Sequence, residues 1–446
     1  VLTVVKISGA AAVGYAEYLE GKVQVSSLGD YYLSKDGERV EAPGRWIRGN
    51  AVVGIDGLAV TGEELRDLMS VHYPGTDRPL RAVGAGGQAV AALDATFSAP
   101  KSVSSVWALA DPGLRAAIER AHERAVDQAV GYSLAQVHMV RRRVSPTTVV
   151  HEPARDLVAT SWRHTTARAV EGHLPDPQLH SHVLLHAAVR TDGKVVAIDS
   201  RAWMVHRREL GAAYRTELAR GIAELGFEIR RGTGRGGRYF EIDGIPQELL
   251  DRWSGRGRQI EAAIGQRVGN RDGAERAGGS RWQVIGPAED RRLRVMTRAG
   301  KQPVTIADLD HDWQKTAQAE GFDGDRIRAL RDPSRPAPDV VSSSELVEGL
   351  TEFDATFTDR EMRAVALERS AGAAAPEALG ALRRARSERE IIELADGRFT
   401  TRLHRATERQ VVATTRQLSD TRPGRIDADK VTRAERLVNE RLAEHG

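Results

Sequence analysis

The 446-residue chain contains no cysteine. That excludes a disulfide scaffold, a thiol nucleophile, a zinc–thiolate site and an iron–sulfur cluster, and it fits a reducing compartment. No run of about 18 apolar residues occurs, so no membrane insertion is expected. The opening VLTVVKISGAAAVG is too short and interrupted for a secretory signal and reads as a strand running into a small-residue turn. A cytoplasmic protein is the expectation. No phosphate loop of the form GxxxxGKS or GxxxxGKT is present, so neither ATP hydrolysis nor helicase activity is expected of this chain. Internal repeats and low-complexity blocks are lacking too.

What is there is 41% hydrophobic and 28% charged, a soluble composition long enough for about two or three domains. The net charge of +3 conceals an asymmetry: residues 1–300 hold 41 Lys and Arg against 35 Asp and Glu, and residues 301–446 hold 24 against 27. All eight tyrosines precede residue 240. Side chains suited to gripping a nucleic acid therefore concentrate in the first part.

Leu2 to Ile7 reads as a buried strand, followed by a helix carrying Tyr15 and Tyr18. Around Asp94, AALDATFSAPKSVSSVWAL starts as an alternating strand with Ala92, Asp94, Thr96 and Ser98 on one face, and Pro100 stops it. Residues 112–139 have helical apolar spacing, with Asp111 as a cap before Pro112. Extended stretches follow at Thr147–Val150, Ala154–Trp162 and Ser181–Val189, then a helix from Arg207 to Gly226. FEIRRGTGRGGRYFEID reads as a hairpin, and REIIELADGRFTTR at 389–402 as a second one. GNRDGAERAGGS at 269–280 is expected to be a loop. PSRPAPD at 333–339 has linker composition, and the chain beyond about 301 is helical in pattern.

Five of the thirteen histidines fall between 164 and 186. His180 and His182 flank Ser181 at the start of a leucine-rich strand, where residues i and i+2 share a face, so two imidazoles point together. His-x-His on a strand also occurs as an ordinary surface or core pair. A third imidazole would complete a facial set on a divalent metal and leave positions open for substrate oxygens. His164, on the preceding strand, is the best third ligand. His173 sits beside a proline-containing loop and reads as exposed, His186 as packed or supporting, and His151 as structural.

His164 to His182, the run Ala95-Thr96-Phe97-Ser98-Ala99-Pro100-Lys101-Ser102-Val103-Ser104 after Asp94, and the N-terminal tyrosines, in this order, resemble the relaxase domain of TrwC/TraI-type (MobF) conjugative relaxases. The resemblance spans residues 1 to about 310, and residues 340–420 resemble the segment preceding the helicase motor in these proteins. It implies an α+β, HUH endonuclease-like antiparallel sheet with flanking helices, followed by a smaller, mainly helical domain. The expected division is a relaxase domain over 1–300, a linker over 301–340 and a helical segment over 341–446, with a motor missing from the chain by truncation.

The resemblance further implies roles. His164, His180 and His182 would bind the metal, magnesium or manganese first, with zinc, nickel or cobalt as alternatives. The connection from His164 to His180 is longer than in the best-known relaxases, with AVEGHLP as the extra length, which leaves His173 open as a substitute ligand. Asp94 would hydrogen-bond a ligating histidine, fixing its tautomer, and help take the tyrosine proton. The nucleophile would be Tyr15 or Tyr18, with spacing from the N-terminal strand favouring Tyr15. Tyr31 and Tyr32 match a second tyrosine pair, for another strand transfer or for stacking. Arg141, Arg142, Arg143, Arg230, Arg231, Arg235 and Arg238 would contact DNA. The implied activity is metal-dependent nicking and rejoining of single-stranded DNA at a plasmid transfer origin through a 5′-phosphotyrosyl adduct. A monomer is expected, alongside accessory relaxosome and coupling proteins. The rival readings are a rolling-circle replication initiator of the same chemistry, a non-catalytic DNA-binding module and a small-molecule metallohydrolase.

Overall fold

The structure is a computed structural model that describes residues 1–8, 42–49, 57–83, 90–170, 172–232, 238–269, 304–352 and 354–421, with isolated positions beyond. Its first eight strands are β1 (Leu2–Ser8), β2 (Arg45–Arg48), β3 (Val90–Ser98), β4 (Val140–Arg143), β5 (Val149–Glu152), β6 (Asp156–Thr166), β7 (Pro177–Val189) and β8 (Val195–Val196). The main sheet runs β1-β3-β7-β6-β2, with β8 also on β7, and its pairings are all antiparallel. β4 and β5 form a separate hairpin. Helices α1 (Gly62–Met69), α2 (Lys101–Leu109), α3 (Pro112–Gln136) and α4 (Ser200–Glu224) flank the sheet.

Alternation along β7 decides which side is core. Leu179, Val183 and Leu185 point to one face and join Leu93, Ala95 and Phe97 of β3 in the main core, against α3 and α4. α3 starts as its sequence predicts, with Asp111 accepting a hydrogen bond from Leu114 N at 2.9 Å and Pro112 in the first turn. The helices approach closely: a Cβ on Gly221 of α4 would lie 2.8 Å from Ala121 Cβ of α3. On the opposite face, Trp46, Leu65, Leu68, Trp162 and Leu184 form a second core under α1.

Several boundaries differ from the sequence reading. β7 begins at Pro177, where a missing N–H is tolerated at a strand start, four residues before the expected Ser181. α4 begins at Ser200 rather than Arg207, capped by Asp199, which accepts from Arg201 N at 3.0 Å. The expected loop at 269–280 lies outside the described residues except for Gly269, the last residue of a helix.

After α4 come β9 (Ile229–Arg231) and β10 (Phe240–Ile242), the expected hairpin, then α5 (Gln247–Arg252), α6 (Gly255–Gly269), α7 (Ile306–Ala319) and α8 (Gly324–Leu330). Within the stretch expected as a linker over 301–340, the chain from Val304 to Leu330 packs into the main core through Leu309, Trp313, Phe322 and Ile327. Trp313 meets Trp107 edge-on at 5.9 Å and donates Nε1–H to Pro175 O at 2.9 Å. Gly226 ends α4 at φ +92°, and a Cβ there would lie 2.8 Å from the Asp332 backbone, so the returning chain needs glycine at this point.

The C-terminal part comprises α9 (Ser343–Thr351), α10 (Asp359–Arg369), α11 (Ala375–Ser387), the hairpin β11 (Ile391–Glu393) with β12 (Phe399–Thr401), and α12 (Arg402–Thr421). It has its own small core around Leu346, Met362, Leu382 and Ile391. α10 docks on α4, where Ala212, Ala213 and Leu367 pack together. Glu209 is wholly buried there, accepting from Arg363 Nε at 2.6 Å and from Tyr132 OH at 2.8 Å. Glu368 accepts from Arg208 at 2.8 Å and Arg215 at 3.3 Å. Among the described residues no helix is long and apolar enough to cross a membrane.

Candidate metal centre

Register brings the predicted histidines together. His164 of β6 lies directly opposite His180 of the central strand β7, and His182 lies two residues on, so all three share the sheet face opposite α3 and α4. Their ring centroids are 5.0–5.3 Å apart. One nitrogen from each falls within 4.8 Å of the others, a spacing that fits three imidazoles on one ion. Among the described residues this is the group of three or more histidine and acidic side chains able to hold a metal.

The neighbours fix which nitrogens face the ion. His180 Nδ1–H donates to the Gln178 carbonyl at 2.8 Å, leaving Nε2 for a ligand. His182 Nδ1–H donates to both oxygens of Asp94, at 2.9 and 3.0 Å. Asp94 reaches it from β3, on the face that its alternation with Thr96 and Ser98 predicts. Thr96 was read only as a member of that face; its hydroxyl lies 3.2 Å from both Asp94 Oδ1 and His182 Nδ1, completing the support. The Gln178 contact has no signal in the sequence, because it uses a main-chain oxygen.

Electrostatics keep His164 and His180 neutral, as ligation requires. Burial, then the neighbouring His182 and His180, holds His164 well below the ordinary histidine range. Burial and His182 push His180 down to about 3. His186 shares the strand but not the cluster: its Nε2 meets Thr160 Oγ1 at 3.2 Å, and burial pushes it down to about 3. His173 is exposed in the β6–β7 connection and outside the triad. His151 pairs with Asp199 at 3.1 Å, as a structural histidine would.

Tyr15, Tyr18, Tyr31, Tyr32 and Arg235 lie outside the described residues. The other arginines differ in their partners. Arg141 and Arg143 are exposed on β4, whereas Arg142 donates Nε–H to Glu152 at 2.7 Å. Arg230 pairs with Asp243 at 3.1 Å, and Arg238 is exposed on the β9–β10 hairpin. Arg231 donates to the carbonyls of Asp339 and Ala371, at 2.8 and 3.4 Å, and so tethers the C-terminal part.

A three-histidine set on the central strands of an antiparallel sheet, with a carboxylate behind one ligand, defines a metal-dependent enzyme of the HUH endonuclease class. The family model of the TrwC relaxase matches residues 12–320, and the chain belongs to that family. DNA nicking and strand transfer are the activities of that family, and a divalent metal is its partner at this site. Among solved structures, a metal-free complex of the conjugative relaxase TrwC with OriT DNA is 26% identical, with a TM-score of 0.56 over 72% of this chain and 100% of that one. A copper-bound complex is 28% identical, with a TM-score of 0.57 over 73% and 100%. A metal-bound complex is also 28% identical, at 0.56 over 73% and 100%. No curated protein matches the chain.

Proposed function

We propose that this chain nicks and rejoins one strand of plasmid DNA at its transfer origin, by tyrosine transesterification, for conjugation. The observation that carries this reading is the His164–His180–His182 triad with Asp94 behind His182. A bound divalent ion would withdraw charge from the non-bridging oxygens of the scissile phosphate. Magnesium or manganese is the proposed ion, and the same imidazoles would accept zinc, nickel or cobalt.

The phenol oxygen of Tyr15, with Tyr18 as the alternative, attacks the phosphorus. The P–O3′ bond breaks, the 3′ oxygen leaves and takes up a proton, and the 5′ phosphate stays on tyrosine. A phenol near pKa 10 needs a base to remove its proton; Asp94 would assist while it holds His182. Because one phosphoester replaces another, rejoining needs no ATP, and no ATPase or helicase activity is proposed for these residues. Tyr31 or Tyr32 would serve a second transfer or stack on a base. Arg141, Arg143 and Arg238 are exposed and would meet phosphates, with Arg142, Arg230 and Arg235 beside them; Arg231 would contribute through the fold. The protein would work in the cytoplasm as a monomer, with accessory relaxosome and coupling proteins.

The test is incubation of wild type, Tyr15→Phe, Tyr18→Phe and the double variant with manganese and labelled single-stranded oligonucleotides from the transfer origin. A covalent band on denaturing gels, lost in one single variant, is the expected result and identifies the nucleophile. Binding without an adduct in wild type at every divalent ion tried would leave a DNA-binding module instead.

A further inference from the structure

The metal centre does not account for a cavity of about 630 Å³ beside the β6–β7 connection. His173, Asp176, Arg252, Arg258, Gln259 and Asp312 line it, from that connection, from the α5–α6 region and from α7. One wall is formed by Val170, Gly172, His173 and Leu174 of the connection between the two strands that carry the triad.

The cavity is held in shape and lies beside the start of the strand that carries His180 and His182. Gly255 N donates to Asp176 Oδ2 at 3.0 Å, Ala167 N donates to Asp176 O at 2.8 Å, and Trp313 holds Pro175. Asp176 precedes His180 by four residues, roughly 13 Å at the rise of an extended strand. A single strand threaded past the metal centre would reach the cavity within a few nucleotides. Lys101, from the block after Asp94, bridges the two places by donating Nζ–H to Pro177 O at 3.0 Å.

The lining chemistry narrows the occupant. Two guanidinium groups, an imidazole and an amide stand beside two carboxylates. A phosphate would be opposed by Asp176 and Asp312, whereas a base edge presents donors and acceptors together and suits a mixed wall. We propose that this cavity takes one base of the single-stranded DNA flanking the cleaved phosphate, with Arg258 and Asp312 reading its edge. The inference rests on the relaxase reading above and adds a specificity site to it.

The experiment uses the full chain, manganese and a random single-stranded DNA library. Covalent complexes are isolated under denaturing conditions and sequenced, and the selected sequence is then varied base by base. Wild type, Arg258→Ala and the isosteric Asp312→Asn are compared on that panel, with thermal melting as the folding control. The expected result is loss of roughly 5- to 150-fold discrimination at one position, with preferences elsewhere retained. Variants that keep the wild-type preference everywhere, or lower adduct yield evenly over all bases, overturn the cavity inference while the relaxase reading stands. Wild type that forms no adduct overturns both.

Discussion

Replacing Asp94 by asparagine tests the support of the metal centre with little change in shape. The carboxylate accepts the Nδ1–H of His182 at 2.9 and 3.0 Å and is only 5% exposed, so its charge acts through a poorly solvated path. Removing that charge weakens the hold on the Nδ1–H tautomer and lowers the basicity of Nε2. Losing such a partner typically costs 10–100-fold in metal affinity, about 1.4–2.8 kcal/mol. Asp94→Asn is therefore expected to raise the manganese Kd by about 10–100-fold, as read by isothermal titration calorimetry of metal-stripped protein. Thr96→Val, which removes a hydroxyl 3.2 Å from both groups, should have a smaller effect in the same direction. His182→Ala, which removes a ligand, should exceed both. Equal affinity for wild type and a folded Asp94→Asn variant would refute the argument that this carboxylate tunes the centre.

Other expectations concern stability. The pKa of His186 is held at about 3 by burial and then by Arg81, below the ordinary 6.5, so the unfolded chain takes up a proton that the folded chain refuses. Its contribution is therefore complete above pH 6.5 and declines as pH falls towards 3, by about 1.4 kcal/mol per unit. Urea unfolding of wild type and His186→Phe at pH 7, 5.5 and 4.5 should show a shallower pH slope in the variant; parallel slopes would contradict the assignment. Glu209→Gln removes one of the two carboxylate partners of Arg363, leaving Asp359, in the α4–α10 interface and should cost about 1–3 kcal/mol, part of it regained on adding Arg363→Met, in a double-mutant cycle. Gly221→Val presses a side chain into Ala121, with Cβ atoms at 2.8 Å, and should cost about 1–3 kcal/mol in the same assay.

The residues legible from sequence are those whose role follows from local periodicity. His180 and His182 share a face because a strand alternates, and Asp94 shares one with Thr96 for the same reason; Asp111 before Pro112 marks a helix start without tertiary help. The 391–401 hairpin was likewise readable from its turn. Where the reading failed, long-range partners decide. Residues 304–330 carry many charges, yet Trp313 and Leu309 bury one stripe of α7 against the core. Arg231 reads as a nucleic-acid contact in a Gly/Arg-rich turn, but its partners are two carbonyls more than 100 residues away.

Helix α4 shows why composition alone misleads. Glu209, Arg215 and Glu217 would suit a solvated face, and all three are buried. The helix is covered on one side by the sheet and α3, through Tyr214 and Leu218, and on the other by α10 and α11. Thr216 Oγ1 donates to Leu367 O at 2.7 Å, and Glu217 accepts from Ala375 N at 3.1 Å, so the polar side chains of α4 find their partners in the C-terminal part. Tyr214, from the same helix, bonds His122 Nδ1 at 2.8 Å, and His122 Nε2 meets Ser181 Oγ at 2.8 Å. Ser181 stands between the two ligating histidines of β7. An unbroken run of buried polar contacts thus connects the residue between the ligands to the helix on which the C-terminal part is seated, and a change in that docking has a physical path to the metal-bearing strand.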